Sequence, residues 1–183
     1  MRIVLLPVGK VNRKALNAVR DGLTIVFPRA VCELSEGVLG VPRNSYNASR
    51  RQYSSTRILL EILHYAEKKE TPADQTARFL GVTEVDLYVR GLNFVFGEAQ
   101  CPGKAAVISL HRLRPEFYGA PGNEKLYFER ALKEAVHELG HTFGLRHCPD
   151  PACVMHFSLH IGMTDRKQSD FCRICRIKLE RAV

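Results

Sequence analysis

Two periods of hydrophobicity run along the chain, one of two residues and one near 3.6, and they divide it into strands and helices. Residues 2–8 are apolar almost throughout, the pattern of a strand buried on both faces. Residues 12–22 have helical spacing, with Asn12 as cap and Gly22 just past the end. Residues 24–27 and 30–34 read as strand pieces around Pro28, and the polar, arginine-rich stretch 40–53 as a surface loop. Ser54 or Ser55 then caps a helix to about Lys69, with Ile58, Leu59, Ile62, Leu63 and Ala66 as its apolar stripe. Thr71-Pro72-Ala73-Asp74 starts a further short helix, which Gly81 closes.

Residues 84–90, 93–98 and 104–110 read as three strands. Val85, Leu87 and Val89 alternate in the first, whereas 105–110 is a continuous apolar run, as in the interior of a sheet. Gln100-Cys101-Pro102-Gly103 supplies the turn between the last two strands. After a loop at 119–122, Asn123 caps a long helix with Glu124 in its first turn. The order β-α-β-α-β-β-β-α predicts an α/β (α+β) fold: a twisted sheet with helices, followed by a cysteine-rich tail.

A length of 183 residues suits one domain, or one domain split into two lobes. Hydrophobic residues make up 45% and charged residues 25%, with mean hydropathy −0.15, which excludes wholesale disorder. No apolar run approaches the ~18–20 residues of a membrane span. The apolar N-terminal stretch is short and broken by Pro7, so it reads as a strand and not as a signal peptide. A cytoplasmic protein is therefore expected, and a monomer. The net charge of +8 is scattered, without a block of five or six like charges, which argues against a nucleic-acid partner.

The long helix carries His137-Glu138-Leu139-Gly140-His141. Residues i and i+4 lie about 40° apart around a helix, so both imidazoles point at one spot. That arrangement suits zinc, at ~2.0–2.1 Å from each nitrogen. In the following Thr142-Phe143-Gly144-Leu145-Arg146-His147, Gly144 permits a sharp, left-handed turn that a residue with a Cβ resists. The turn returns His147 as a third ligand. The whole string, H-E-x-x-H-x-x-G-x-x-H, is far more specific than its first five positions. Leu132, Val136, Leu139 and Phe143 gather within about 60° on the helical wheel, roughly opposite the histidines, so one face packs on the sheet and the other lines a cleft. Three neutral histidines leave zinc its full charge and one open position. Glu138, beside the first ligand, is placed to act as general base and then to hand the proton to a leaving amine.

Six cysteines are present, four of them within 148–175; in an intracellular chain such a cluster reads as metal-binding. Cys32 and Cys101 stand alone and read as small buried hydrophobes.

The string around the three histidines resembles the metzincin clan of zinc metalloproteases. In that clan a methionine in a tight turn lies beneath the metal, and Met155, eight residues after His147, fits that role. Within the clan the sequence is similar to the archaemetzincins, whose mark is Cys148 directly after the third histidine, then Cys153-Val154-Met155, then Cys172-Arg173-Ile174-Cys175. The match is dense over 137–175; residues 1–136 contribute only a compatible order of elements. The resemblance implies a metzincin-like twisted mixed sheet with packed helices above a zinc cleft. It also implies a small C-terminal lobe stapled by zinc on Cys148, Cys153, Cys172 and Cys175. Four thiolates close the coordination sphere, so that site is structural. Two Zn²⁺ per chain are implied, with residues 1–147 as the catalytic lobe and 148–183 as the lobe holding the cysteines and Met155. It further implies a peptide or protein substrate laid antiparallel along an exposed edge strand, for which 93–98 is the candidate.

Read from the residues, a zinc peptidase competes with a non-catalytic binding module and with another metallohydrolase. Glu138 discriminates against the binding module, since a scaffold without turnover has no chemical need for that carboxylate.

Overall fold

The structure, a computed structural model, describes residues 1–69 and 76–182. In chain order its elements begin with β1 (Arg2–Val8), α1 (Arg13–Val26), β2 (Val31–Leu34), β3 (Tyr46–Asn47), β4 (Gln52–Ser54) and α2 (Ser55–Lys69). They continue with β5 (Arg78–Thr83), β6 (Leu87–Tyr88), β7 (Gly97–Ala99), β8 (Ala105–Ser109), α3 (Glu124–Thr142), α4 (Ile161–Arg166) and α5 (Arg173–Glu180). The main sheet has the order β2-β1-β5-β8-β7; the first four strands are parallel and β7 is antiparallel to β8.

Alternation explains the apolar run of β1. Ile3 and Leu5 enter the core on one face of the sheet, while Val4, Leu6 and Val8 enter the core on the other. β8 divides likewise, with Ala106 and Ile108 on the first face and Ala105 and Val107 on the second. α1 and α3 cover the first face through Leu16, Val19, Leu23, Ala131, Ala135 and Leu139. α2 covers the second through Ile58, Leu59, Ile62 and Ala66. With both faces covered, the interior positions of these strands are apolar, and the polar residues Arg2 and Ser109 stand at their ends.

The caps stand where the sequence places them. Asn12 accepts from the amides of Lys14 and Ala15, and Asn123 from that of Leu126. Other boundaries differ. Gly22 does not end α1, which runs on to Val26 with Phe27 as its C-cap, through the stretch read as a strand; the Thr24 hydroxyl bonds back to the Arg20 carbonyl. Gly22 serves a contact instead, because a Cβ there would stand 2.6 Å from Leu132 of α3. Gly81 lies inside β5 and does not close a helix. A Cβ there would stand 2.2 Å from Ile62 of α2, so the glycine lets that helix settle on the sheet. The helix start read at Thr71-Pro72-Ala73-Asp74 lies outside the described residues. The strand read at 84–90 shrinks to β6, and that read at 93–98 shrinks and shifts to β7 at Gly97–Ala99. The arginine-rich 40–53 stretch forms β3 and β4, which join β6 in a small second sheet.

The C-terminal segment shares the core of the first face. Val154, Met155, Phe171, Cys175 and Leu179 are buried in one cluster with α1 and α3, and Phe27 packs its ring on both Phe143 and Phe171. No helix among the described residues is long and apolar enough to cross a membrane.

Candidate metal centres

His137, His141 and His147 converge, with one ring nitrogen of each lying within 4.8 Å of the others. The first two stand one turn apart on α3. The third is delivered by the turn after it. Gly144 has φ +85° and donates to the His141 carbonyl, and Leu145 donates to that of Gly140, which ends the helix and reverses the chain. The reversal also carries the Leu145 carbonyl to His141 Nδ1 at 2.7 Å, while the Val154 carbonyl lies 2.8 Å from His137 Nδ1.

A carbonyl only accepts, so in both rings the Nδ1 carries the proton and Nε2 presents a lone pair. Those two Nε2 atoms face each other at 3.2 Å. Burial pushes all three imidazoles below their ordinary range, His137 furthest, which keeps protons out of the cluster. Converging lone pairs of neutral rings repel unless a cation lies among them. Two nitrogens on a tetrahedral zinc, at ~2.0–2.1 Å each, stand about 3.3 Å apart. The histidine cluster fits the metal.

The cysteine cluster fits as well. The sulfurs of Cys148, Cys153, Cys172 and Cys175 lie within 4.8 Å of one another, that of Cys148 3.9 Å from that of Cys172, and none is disulfide-bonded. On a tetrahedral zinc with Zn–S near 2.3 Å, neighbouring sulfurs stand about 3.8 Å apart. The Cys172 amide donates to Cys153 Sγ at 3.3 Å. Burial raises the Cys153 and Cys175 thiols, and the amide of Cys175 lowers that of Cys172. Four such thiols share one small space as thiolates only around a cation.

Met155 is fully buried under α3. It occupies the space that the missing side chain of Gly140 leaves, where a Cβ would stand 2.4 Å from its Sδ. The turn that presents it is closed by the His156 amide on the Cys153 carbonyl.

Glu138 is 5% exposed and faces the cleft with the histidines. Its carboxylate rests against Gly97 of β7, where a Cβ would stand 2.6 Å from Oε1. Burial first, and then the charges of Glu134 and Glu98, push its carboxyl well above the usual carboxylate range. A dication beside it acts in the opposite direction.

The cleft, about 380 Å³, has Gly97, Glu98 and Ala99 on one rim and Arg146, His147 and Phe157 on the other. β7 is the sheet edge at this rim. The Phe96 carbonyl and the Gln100 amide bond across to β8, so by the alternation of an antiparallel ladder the main-chain groups of Gly97 and Ala99 face away from it. Cys101, read as buried, is exposed and lines this cleft; Cys32 is half-buried. The sequence reading missed Gly97 and Gly140 as elements of the site. For Gly140 there is a signal, since a glycine between two histidine ligands interrupts an otherwise good helix former run.

The family model for Peptidase family M54 matches residues 13–181. An archaemetzincin of Methanocaldococcus jannaschii is 46% identical over 180 residues, covering 98% of this chain and 93% of that protein. Among solved structures, an archaemetzincin of Archaeoglobus fulgidus in complex with malonate superposes with TM-score 0.79 and 40% identity, covering 97% of this chain and 99% of that one. A zinc-dependent peptidase of Methanocorpusculum labreanum superposes with TM-score 0.86 and 31% identity, with the same coverage. Fold and site together define a zinc metalloprotease of the metzincin type. The chain belongs to peptidase family M54, the archaemetzincins.

Proposed function

We propose that this chain hydrolyses peptide bonds at the cluster of His137, His141 and His147 with Glu138 as general base. We further propose that it holds two zinc ions, one catalytic on those histidines and one structural on Cys148, Cys153, Cys172 and Cys175. The observation that carries the reading is the pair of Nε2 lone pairs 3.2 Å apart, each ring fixed by a backbone carbonyl behind it.

Zinc held there supplies Lewis acidity, activating water and polarising the scissile carbonyl. Glu138 accepts a proton at its carboxylate and returns it to the leaving amine. A dication at the histidines would oppose the upward push of burial, Glu134 and Glu98, leaving the carboxylate free to accept that proton. The substrate main chain pairs with the free edge of β7, which brings its carbonyl over the cleft. Met155 forms the floor beneath the histidines. In this reading residues 1–147 form the catalytic lobe and 148–183 the lobe that carries the floor.

The test combines metal analysis with the products released from a diverse peptide library. Two zinc ions per chain and a reproducible set of cleaved bonds are expected. A fully zinc-loaded protein that releases no product overturns the reading.

A further inference from the structure

Between Glu36 and Glu61 the chain carries four arginines, Arg43, Arg50, Arg51 and Arg57, and neither an acidic residue nor a lysine. The stretch folds into the hairpin of β3 and β4, and its tip is anchored beside the path open to a substrate. A cavity of about 180 Å³ shares Gly97, His137, Glu138 and Phe157 with the cleft, and Leu92, Asn93 and Phe94 line it further on. In an antiparallel pairing with β7, a partner chain runs from Ala99 toward Gly97. The residues after its scissile bond therefore continue toward 92–96.

Arg50 joins the hairpin tip to that segment. Its Nη2 donates to the Leu92 carbonyl at 2.8 Å and to the Asn93 carbonyl at 2.9 Å, its Nε donates to Gln52 Oε1 at 3.0 Å, and its guanidinium lies 4.6 Å over the Tyr88 ring. Every acceptor is neutral, and the two N–H groups of Nη1 remain for a ligand. The neighbouring carboxylate, Asp86, bonds Gln52 at 3.1 Å but is held by both arms of Arg112, at 2.6 and 2.8 Å, so its charge is met there. Arg51, exposed at the tip, takes φ +54°, a conformation that glycine adopts freely and a side chain resists. Arg90 is exposed in the turn between Tyr88 and Leu92, the two residues that Arg50 touches. None of the three arginines forms an ion pair among the described residues.

Arg50 is thus a cation fixed in place before any ligand arrives, which removes most of the ordering entropy that a free arginine loses on binding. With Arg51 and Arg90 it leaves positive charge uncompensated beside the substrate path, attracting an anion and repelling a cation. On a peptide the anionic group is a carboxylate, which a guanidinium binds through charge-assisted hydrogen bonds. We propose that Arg50, Arg51 and Arg90 form a subsite that selects a carboxylate in the part of the substrate following the scissile bond, borne by an acidic side chain or by the C-terminus. Its role in hydrolysis rests on the peptidase reading above.

The test uses one peptide scaffold in pairs, glutamate against glutamine at successive positions and a free C-terminus against an amide. With zinc-loaded wild-type protein, kcat/KM should favour a carboxylate after the cleaved bond by about fivefold or more at low ionic strength, and salt should shrink the ratio. A response in the glutamate pairs assigns the side chain, and one in the terminal pair assigns the C-terminus. Arg50→Gln should bring the ratio toward one. Because Arg50 also holds the hairpin, the double variant Arg51→Gly/Arg90→Gln is measured beside it; it should lower the ratio too and should fold, since glycine takes a positive φ without strain. Calorimetric binding of the same peptides to zinc-loaded Glu138→Gln reads the preference without turnover. Cleavage with no carboxylate preference, or with one that both variants leave intact, overturns the subsite and leaves the peptidase reading standing. Carboxylate-selective binding, lost in the arginine variants, of peptides that wild-type protein never cleaves supports the subsite and overturns the peptidase reading.

Discussion

The amide of Cys148 donates to the carbonyl of Met155 at 2.9 Å. The bond has a return partner, since His156 Nδ1 lies 2.9 Å from the Cys148 carbonyl. The segment after the third histidine is thus tied to the turn beneath the site. Cys153 belongs to that turn, and the Val154 carbonyl within it orients His137. His147 and Cys148 are consecutive, so their Cα atoms are held about 3.8 Å apart. One ligand of the histidine cluster, one orienting carbonyl and Met155 all hang from the cysteine cluster.

Replacing Cys172 and Cys175 with serine should therefore weaken zinc at the histidines, although neither residue touches them. A loss of roughly 10–100-fold in affinity is expected, the size of an outer-sphere defect. Competition with a chelator, well below the variant's melting temperature, measures it. An unchanged affinity in the folded variant would mean that the cysteine site stabilises the tail alone.

Glu138→Gln should fold and retain both zinc ions, because Glu138 is not among the converging ligand atoms. Peptide hydrolysis should fall by ~10²–10⁴-fold, the usual loss with a general base. Wild-type rates with full zinc content would remove Glu138 from that role.

Gly97→Ala tests the contact between β7 and α3. The added Cβ would meet Glu138 Cγ at 2.5 Å and the Val107 carbonyl at 2.6 Å, and the backbone atom has little room to yield. The carboxylate should move from its seat, lowering kcat/KM by about tenfold or more, since small misplacements of a reacting group are costly. Zinc content should stay at two per chain. An unaltered kcat/KM would show that Glu138 has another productive position.

Gly140→Ala tests the floor. Its Cβ would stand 2.4 Å from Met155 Sδ and 3.2 Å from the Phe171 ring. Overpacking of a filled core costs ~1–3 kcal/mol, more than the propensity gain of ~1 kcal/mol that alanine brings to a helix. A lower midpoint in denaturant unfolding is expected, and a raised one would mean that Met155 swings aside freely.

The histidines give the metal-free protein a pH dependence. Burial lowers their pKa values in the folded state, so the unfolded chain, titrating near 6.5, takes up protons that the folded chain refuses. Stability is then fully present above about pH 6.5 and declines as pH falls through and below it. Thermal melting of the metal-depleted protein between pH 8 and 5.5 should show the decline, and His137→Gln should reduce its slope. A slope untouched by that substitution would assign the effect to other groups.

The two converging clusters were legible in the sequence because covalent spacing sets much of their placement. Two histidines one turn apart on a helix share a face in any fold, Gly144 is needed at φ +85° whatever packs around it, and Cys172 and Cys175 span one turn of α5. Caps are local for the same reason, as Asn12 and Asn123 show. Packing decided the rest. Residues 24–27 include β-branched Thr24, Ile25 and Val26, a strand by propensity, yet they finish α1 because Val26 and Phe27 are buried against the core beneath it. Gly81 looks like a helix terminator until Ile62 is seated over it in β5. The seat of Glu138 on Gly97, the space under Gly140 for Met155 and the pairing of Glu134 with Lys167 join residues far apart in the chain. No periodicity carries such pairings; they exist only once the two faces of the sheet are covered and the tail is folded back beneath α3.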